Sequence, residues 1–191
     1  MKKEKTNSSQ KILETAFHCL STRGYANVSM RDIANEANVA LSQLNYYYKN
    51  KEGLVTEVIK VMIFQYLNEI EEQLKAAIKR EEKLTSLIGY FNYLIRKKPE
   101  LFKIFVDFTA QSLWIPAFAK QLKNLFDDIV EIIEKNILLE MDNSTALHDY
   151  SEKTIARFVL GALYGTSVQI MLGSDEENAY ESLTIVEKIL C

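Results

Sequence analysis

A chain of 191 residues, 48% of them hydrophobic, can bury a substantial core, and its two prolines and six glycines favour helices over an all-β fold. No window of ~20 residues is free of charged and polar side chains, so we expect no membrane-spanning helix. The net charge of −3 is unevenly distributed, because residues 1–60 carry a net of +3 and residues 61–191 a net of −6. This asymmetry is compatible with a polyanion that binds the N-terminal end, and chance variation is the alternative.

The N-terminal stretch MKKEKTNSSQ is charged and leads into an amphipathic pattern rather than an uninterrupted apolar run. We therefore expect no signal peptide and a cytoplasmic location. Cys19 and Cys191 lie far apart and match no metal-ligand spacing, which favours a reduced setting without a bound metal or cofactor. Cys19 falls in an apolar helical pattern, so we expect it to be buried as a small hydrophobic residue.

The first predicted helix begins near Ser8 or Ser9, either of which can cap it, and ends near Gly24. Its apolar residues recur with the helical period: Ile12, Leu13, Ala16, Phe17 and Leu20. A second short helix is predicted after Ser29, which together with Asp32 resembles a capping box with a shorter acid than usual.

A third helix is predicted at residues 41–47, after a tight turn. Asn38 suits that turn because asparagine tolerates a left-handed backbone better than most residues. Val39 and Leu44 supply the apolar anchors of the third helix. Two short helices joined by a tight turn and preceded by a supporting helix form a helix-turn-helix unit.

A long fourth helix is predicted from Glu52 to about Ile78, with a length of ~40 Å. Four or five further helices follow, with boundaries at Pro99 and Pro116 and a loop at residues 142–151. We therefore expect an all-α fold of about nine helices, in which a three-helix head precedes a C-terminal helical bundle. The predicted domains are residues 1–50 and residues 51–191.

The segment of residues 152–172 is apolar on nearly every side, so it must be covered on every side. A second copy of the chain is the expected cover, and a helix buried within one chain is the alternative. Gly161 and Gly165 lie on one face, which allows another helix to approach closely. We expect a homodimer interface built from the last two helices, with these candidate residues: Phe158, Gly161, Ala162, Gly165, Val168, Leu183 and Val186.

The stretch ILETAFHCLSTRGYANVSMRDIANEANVALSQLNYYYKNKEGL, residues 12–54, resembles the DNA-binding head of the tetracycline-repressor (TetR) family. Its spacing is kept without a gap at the following positions: Ile12, Leu13, Ala16, Gly24, Tyr25, Ser29, Ile33, Ala34, Ala37, Val39, Leu44, Tyr47, Lys51, Glu52 and Leu54. Three positions depart from the family pattern. Asn38 stands where glycine is common, Ala40 where serine or threonine caps the recognition helix, and Asn45 where an aromatic residue often contacts phosphate.

The resemblance implies a DNA-binding transcriptional regulator, most often a repressor, that binds a palindromic operator as a homodimer. The third helix then enters the major groove, where Gln43 suits a bidentate contact with adenine and Lys51 a contact with phosphate. The predicted DNA-binding residues are Ser29, Arg31, Leu41, Ser42, Gln43, Asn45, Tyr46, Tyr47, Lys49 and Lys51.

Three consecutive tyrosines cannot all face the same way on a helix, because neighbouring residues are ~100° apart. We expect Tyr48 in the core, and Tyr46 and Tyr47 directed toward DNA. The alternative is that all three pack the head against the body.

The C-terminal part is rich in aromatic residues, and the resemblance implies that a small effector binds there and releases the DNA. We expect an apolar or aromatic effector, although any single aromatic residue can equally be plain core. The pocket candidates are Tyr66, Tyr90, Tyr93, Phe105, Phe108, Gln111, Trp114, Phe126 and Gln169. A protein partner on an exposed apolar groove is the alternative regulator. No cluster has catalytic spacing and no glycine-rich phosphate loop occurs, so we do not expect an enzyme.

Overall fold

The computed structural model describes residues 2–138, 147, 149–173 and 177–190. These residues form nine α-helices and one short π-helix, and no strand occurs among them. The α-helices are α1 (Lys2–Arg23), α2 (Met30–Ala37), α3 (Leu41–Tyr48), α4 (Lys51–Ala76), α5 (Arg80–Lys97), α6 (Pro99–Ser112), α7 (Pro116–Ile133), α8 (Glu152–Met171) and α9 (Glu177–Leu190). The π-helix, Glu134–Leu138, directly continues α7. The all-α fold expected from the sequence is confirmed.

The first helix is longer than the sequence pattern indicated. α1 begins at Lys2, so neither Ser8 nor Ser9 is its N-cap. Lysine and glutamate at the start of the chain are good helix formers and extend the helix beyond its apolar face. The third helix reaches Tyr48, one residue beyond the predicted end. Most of the loop predicted at residues 142–151 lies outside the described residues.

The chain forms two compact units, each built from two segments. The first unit comprises Met1–Phe64 and Glu100–Lys123, and the second comprises Gln65–Pro99 and Asn124–Cys191. α4 and α7 therefore each contribute residues to both units. The division into residues 1–50 and 51–191 concerns function rather than compactness, and it stays a prediction.

The core of the first unit is made by the apolar faces predicted for the first four helices, joined by α6 and the start of α7. Its largest fully buried side chains are Ile12, Ile33, Leu44, Leu54 and Phe118. Gly24 ends α1 with a φ of 77°, a conformation that favours glycine, and its N–H donates to the Leu20 carbonyl oxygen at 2.8 Å.

The second unit packs α5 against α8, α9 and the π-helix. Its largest fully buried side chains are Leu74, Leu84, Leu87, Ile133, Ile137, Leu138 and Leu163. Arg80, at the start of α5, donates to the carbonyl oxygens of Ile137 (2.9 Å) and Leu190 (2.6 Å). These carbonyls belong to helix ends that lack partners within their own helices, so a cationic donor there stabilises both ends.

No helix in the described part of the chain is long and apolar enough to cross a bilayer. Within the same residues, no group of three or more His, Cys, Asp or Glu side chains is arranged to bind a metal ion.

Candidate nucleic-acid interface

Local hydrogen bonds fix α2 and the turn that follows it. Ser29 is the N-cap of α2: its Oγ accepts from the Asp32 N–H (3.2 Å), and the Asp32 carboxylate accepts from the Ser29 N–H (2.8 Å). The hydrogen bonds from Ser29 lower the pKa of Asp32, which keeps this carboxylate charged. Asn38 adopts a left-handed conformation, and the Val39 N–H donates to the Ala34 carbonyl oxygen at 3.0 Å. The predicted capping box and asparagine turn are confirmed.

α3 has a buried face and an exposed face. Leu44 is fully buried and Tyr48 nearly so. The exposed residues are Ser42, Asn45 and Tyr46, and the half-buried ones are Leu41, Gln43 and Tyr47. The helix begins after Ala40, which offers no side-chain cap. Hydroxyl and amide groups on the accessible face can donate to and accept from base edges and phosphates.

The three consecutive tyrosines have three different environments. Tyr48 packs in the core, where its hydroxyl lies 2.9 Å from the Ser9 Oγ and burial raises its pKa. This confirms its predicted position and fixes the end of α3 to α1. Tyr46 is 76% exposed, and its ring meets the edge of the Tyr47 ring at a centroid distance of 5.5 Å. Contact of Tyr46 and Tyr47 with DNA stays a prediction.

The predicted DNA-binding cations differ in their surroundings. Arg31 and Lys49 are exposed. The Lys51 ammonium instead donates to the Tyr25 carbonyl oxygen and lies 4.0 Å from the centroid of the Tyr25 ring. Burial lowers the pKa of Lys51. Because an ammonium has three donors, Lys51 can donate to a phosphate and keep its hydrogen bond to Tyr25.

Tyr25 also contacts the second segment of the first unit, Glu100–Lys123. Its N–H donates to the Asp107 Oδ2 of α6 at 2.6 Å, and its ring meets the edge of the Phe118 ring at 5.5 Å. Asp107 accepts a second, longer hydrogen bond from the Gln111 side chain at 3.3 Å. The turn after α1 is therefore anchored to α4 through Lys51 and to α6 through Asp107. Sequence reasoning missed this contact, which joins residues 82 positions apart.

The junction between α3 and α4 depends on a glycine that sequence reasoning also missed. The Asn50 side chain caps α4 by accepting from the Gly53 N–H at 2.8 Å. Lys49, just before it, has a φ of 64°. A Cβ on residue 53 would stand 2.2 Å from the Tyr48 carbonyl oxygen, so only glycine fits there. The available signal was a glycine in the first turn of a helix directly after a capping asparagine.

α1 and α2 are joined by a cluster around one carboxylate. Glu36 accepts from the Arg23 guanidinium at 2.5 Å and from the Cys19 thiol at 3.1 Å. Burial, together with Glu36, raises the pKa of Cys19 to about 11, so the thiol stays protonated and unreactive at neutral pH. The predicted burial of Cys19 is confirmed.

Four of the pocket candidates lie in the first unit. Phe108 is buried, Phe105 and Gln111 are half-buried, and Trp114 is 83% exposed. Trp114 lies two residues beyond the end of α6, before Pro116, and its exposure does not support the assignment to a pocket, which stays a prediction. Phe108 and Gln111 border a void of about 10 Å³, which is room for about one water molecule rather than an organic effector.

The other pocket candidates lie in the second unit: Tyr66, Tyr90, Tyr93, Phe126 and Gln169. Tyr90 is buried, and its hydroxyl donates to Glu69, a residue that sequence reasoning missed. Phe126 meets the edge of the Tyr164 ring at 6.2 Å. Gln169 is exposed on α8, so its assignment to a pocket is corrected. Helical periodicity alone did not show which side of α8 faces the core.

The dimer-interface candidates on α8 remain accessible, whereas those on α9 do not. Phe158 is 55% exposed, and an alanine Cβ at Gly161 or Gly165 would meet no atom within 4 Å. The remaining α8 candidates, Ala162 and Val168, are half-buried. Leu183 and Val186 are corrected, because both pack in the core of their own chain. The exposed apolar residues of α9 are Ile185 and Ile189.

Comparison with known proteins adds to this geometry. Residues 12–58 match the family described as "Bacterial regulatory proteins, tetR family". The fatty acid metabolism regulator protein of Bacillus subtilis is 29% identical over 87 residues, which cover 46% of this chain and 45% of that relative. The chain thus spans less than half the length of the first curated relatives it matches.

Two solved structures share the fold over nearly the whole chain. A TetR transcription regulator from Haloarcula marismortui has a TM-score of 0.81 at 16% identity, with 97% of each chain covered. A transcriptional regulator from Saccharomonospora viridis in complex with choline has a TM-score of 0.78 at 16% identity, and the match covers 96% of this chain and 95% of that one.

The helix-turn-helix formed by α2 and α3, with α1 as its support, has the architecture of a DNA-binding head. The head that contains residues 12–58 is therefore a TetR-type DNA-binding domain.

Proposed function

We propose that this chain is a sequence-specific transcriptional regulator that binds a palindromic operator as a homodimer, without catalytic activity. The proposal rests on the two faces of α3. Leu44 and Tyr48 are buried, whereas Ser42, Asn45 and Tyr46 are accessible. A recognition helix needs this division, because one face must be fixed while the other meets base edges. We also propose a cytoplasmic location, because a regulator of this kind must reach an operator on chromosomal DNA.

This function is tested by measuring how many chains bind one DNA duplex that has been selected from a random pool. Two chains per duplex are expected, since a two-fold dimer presents two recognition helices to successive major grooves ~34–36 Å apart. A complex with one chain per duplex, or no retained duplex at low salt, contradicts the proposal.

Phe158→Glu is expected to weaken the homodimer by about 2 kcal/mol, or roughly thirtyfold in the dissociation constant, because it places a charge in an apolar interface. Analytical ultracentrifugation measures the change. Ile78→Glu is the matched control, since Ile78 is 89% exposed in the turn after α4 and belongs to neither α8 nor α9. Equal dimerisation of the parent and Phe158→Glu, or equal disruption by both variants, contradicts this interface.

We also propose that DNA binding is regulated through the C-terminal part, by repression that a small apolar or aromatic effector relieves. The hydrogen bonds of Tyr25 with Lys51 and Asp107 support such a response. Through them, a shift of α4 or α6 would move the turn after α1. An effector acts only if it binds the released state more tightly than the DNA-bound one. A structural relative was solved with choline, which supports a small-molecule effector in this fold.

A protein partner is the second candidate regulator, and one observation favours it. Leu113 and Trp114 form an exposed apolar pair in the turn between α6 and α7. Trp114 is the single tryptophan of the chain, so its fluorescence reports on any partner that covers it. An emission shift toward shorter wavelength on addition of a purified partner supports this alternative, and an unchanged spectrum on formation of the complex contradicts it.

A further inference from the structure

Three tyrosines and one carboxylate are grouped in the second unit. Tyr66 and Glu69 lie on α4, and Tyr90 and Tyr93 lie on α5. We call these four residues the Glu69 cage. Lys98, in the turn between α5 and α6, is the cation nearest to the cage carboxylate among the described contacts.

The distances show how closely these groups are associated. The Tyr90 hydroxyl donates to the Glu69 Oε2 at 3.1 Å, and the Tyr90 and Tyr93 ring centroids are 6.5 Å apart at an angle of 31°. The Lys98 Nζ lies 3.6 Å from the Glu69 Oε1 and 5.3 Å from the Tyr93 ring centroid. A positive charge thus already occupies the space between a carboxylate and an aromatic face.

The hydroxyls of Tyr66 and Tyr90 are neutral at ordinary pH, because the pKa of each is raised. Burial is the main reason that the pKa values of Tyr66 and Tyr90 are raised, and the nearby Glu69 carboxylate raises them further. The charge of the cage is therefore the single negative charge of Glu69. An anion would be repelled by this carboxylate, whereas a cation is attracted by it and by the tyrosine rings.

Lys98 is a weak occupant of this position. Its separation of 3.6 Å from the carboxylate is longer than a hydrogen bond, and both side chains are partly exposed. A lysine ammonium is compact and strongly hydrated, so it gains little from an aromatic face. An alkylated ammonium carries its charge on an apolar surface, which suits tyrosine rings better.

We propose that the Glu69 cage binds an organic cation with an alkylated ammonium group, which displaces the Lys98 side chain. Tyr93 is 41% exposed, so one wall of the cage is accessible from solvent. Lys98 directly precedes Pro99, the first residue of α6. This inference rests on the proposed function, because it gives the effector of the C-terminal part a chemical class with both apolar surface and positive charge.

Isothermal titration calorimetry at constant ionic strength tests the inference, with choline as the probe. Its uncharged analogue dimethylbutanol, in which carbon replaces nitrogen, has the same shape. Choline is expected to bind and dimethylbutanol is not. Glu69→Gln keeps the shape of the side chain and is expected to lower choline affinity at least about tenfold, because the charge is lost.

Lys98→Met is expected to raise choline affinity about threefold or more, because it removes the competing ammonium. A purely structural ion pair would not give this gain. Glu71→Gln is the matched control, since Glu71 lies on the same helix and pairs with Lys75 at 2.9 Å. Its affinity for choline is expected to equal that of the parent.

The proposed cation site is contradicted if choline and dimethylbutanol bind equally well. It is also contradicted if Glu69→Gln leaves choline affinity unchanged or if Lys98→Met does not raise it. No choline binding by the parent or by Lys98→Met overturns it as well. DNA binding by the same preparations is measured separately, without choline. If the chain binds DNA but not choline, only the proposal of a cation site at the Glu69 cage is contradicted. If it binds choline but no DNA duplex, only the proposed regulatory function is contradicted.

Discussion

Gly53→Ala is expected to destabilise the first unit by about 1–3 kcal/mol and to displace the recognition helix α3. The new Cβ would stand 2.2 Å from the Tyr48 carbonyl oxygen, and that oxygen belongs to the backbone, so it cannot rotate away. Either α3 or the start of α4 must shift. Because Tyr48 ends α3, we expect operator affinity to fall together with stability.

Gly89→Ala is the matched control for this substitution. Gly89 is an exposed interior residue of α5, and a Cβ there meets nothing within 4 Å. Alanine is therefore expected to stabilise the chain by ~0.5–1 kcal/mol, since it restricts the unfolded backbone. Urea unfolding of both variants measures the difference. If Gly53→Ala is as stable as the parent and binds operator equally, the close approach of residue 53 to Tyr48 is contradicted.

Leu44→Ala is expected to cost about 2–5 kcal/mol, because Leu44 is fully buried and its removal leaves a cavity between α3 and its supports. A loss of this size approaches the whole stability of many domains. We therefore expect thermal unfolding at much lower temperature and loss of DNA binding under conditions where the parent is folded. Circular dichroism, followed during heating, measures the change.

Tyr46→Ala separates folding from DNA contact on the same helix. Tyr46 is exposed and two residues from Leu44, so its removal is expected to change stability by no more than about 0.5 kcal/mol. Its operator affinity is expected to fall, because a phenol at the interface is lost. A large loss of stability in Tyr46→Ala, or none in Leu44→Ala, contradicts the assigned faces of α3.

Local signals in the sequence were enough to predict most of the DNA-binding head. Ser29 and Asp32 form their capping box within one turn, and Asn38 adopts its left-handed conformation next to the helix it ends. The helical period placed Leu44 inward because it depends only on neighbouring residues. Such features are encoded within a few positions, so a single sequence contains the information they require.

Features that depend on distant residues were not predictable in the same way. The hydrogen bond from the Tyr25 N–H to Asp107 requires knowledge of which helix α6 approaches. Gly53 matters through a backbone oxygen of the preceding helix rather than through its own helix. The contact of Glu69 with Tyr90 was not predictable, because a single glutamate on a long helix is more often a solvated residue.

The apolar helices gave the least reliable predictions for individual residues. When nearly every side of a helix is apolar, the period does not identify the face that meets the core. On α9, Leu183 and Val186 pack in the core of their own chain rather than at the predicted interface. Trp114 was assigned to a pocket by residue type, although it lies in an exposed turn.

The most direct test of DNA reading by α3 is selection of bound duplexes from a random pool, with the parent and Gln43→Ala in parallel. The parent is expected to enrich a two-fold symmetric sequence. Gln43→Ala is expected to enrich the same sequence with preference lost at one symmetric base pair, a change of about 1–3 kcal/mol. No enrichment by the parent, or an identical preference at every position in both proteins, contradicts the assignment of Gln43 and its helix face to the DNA.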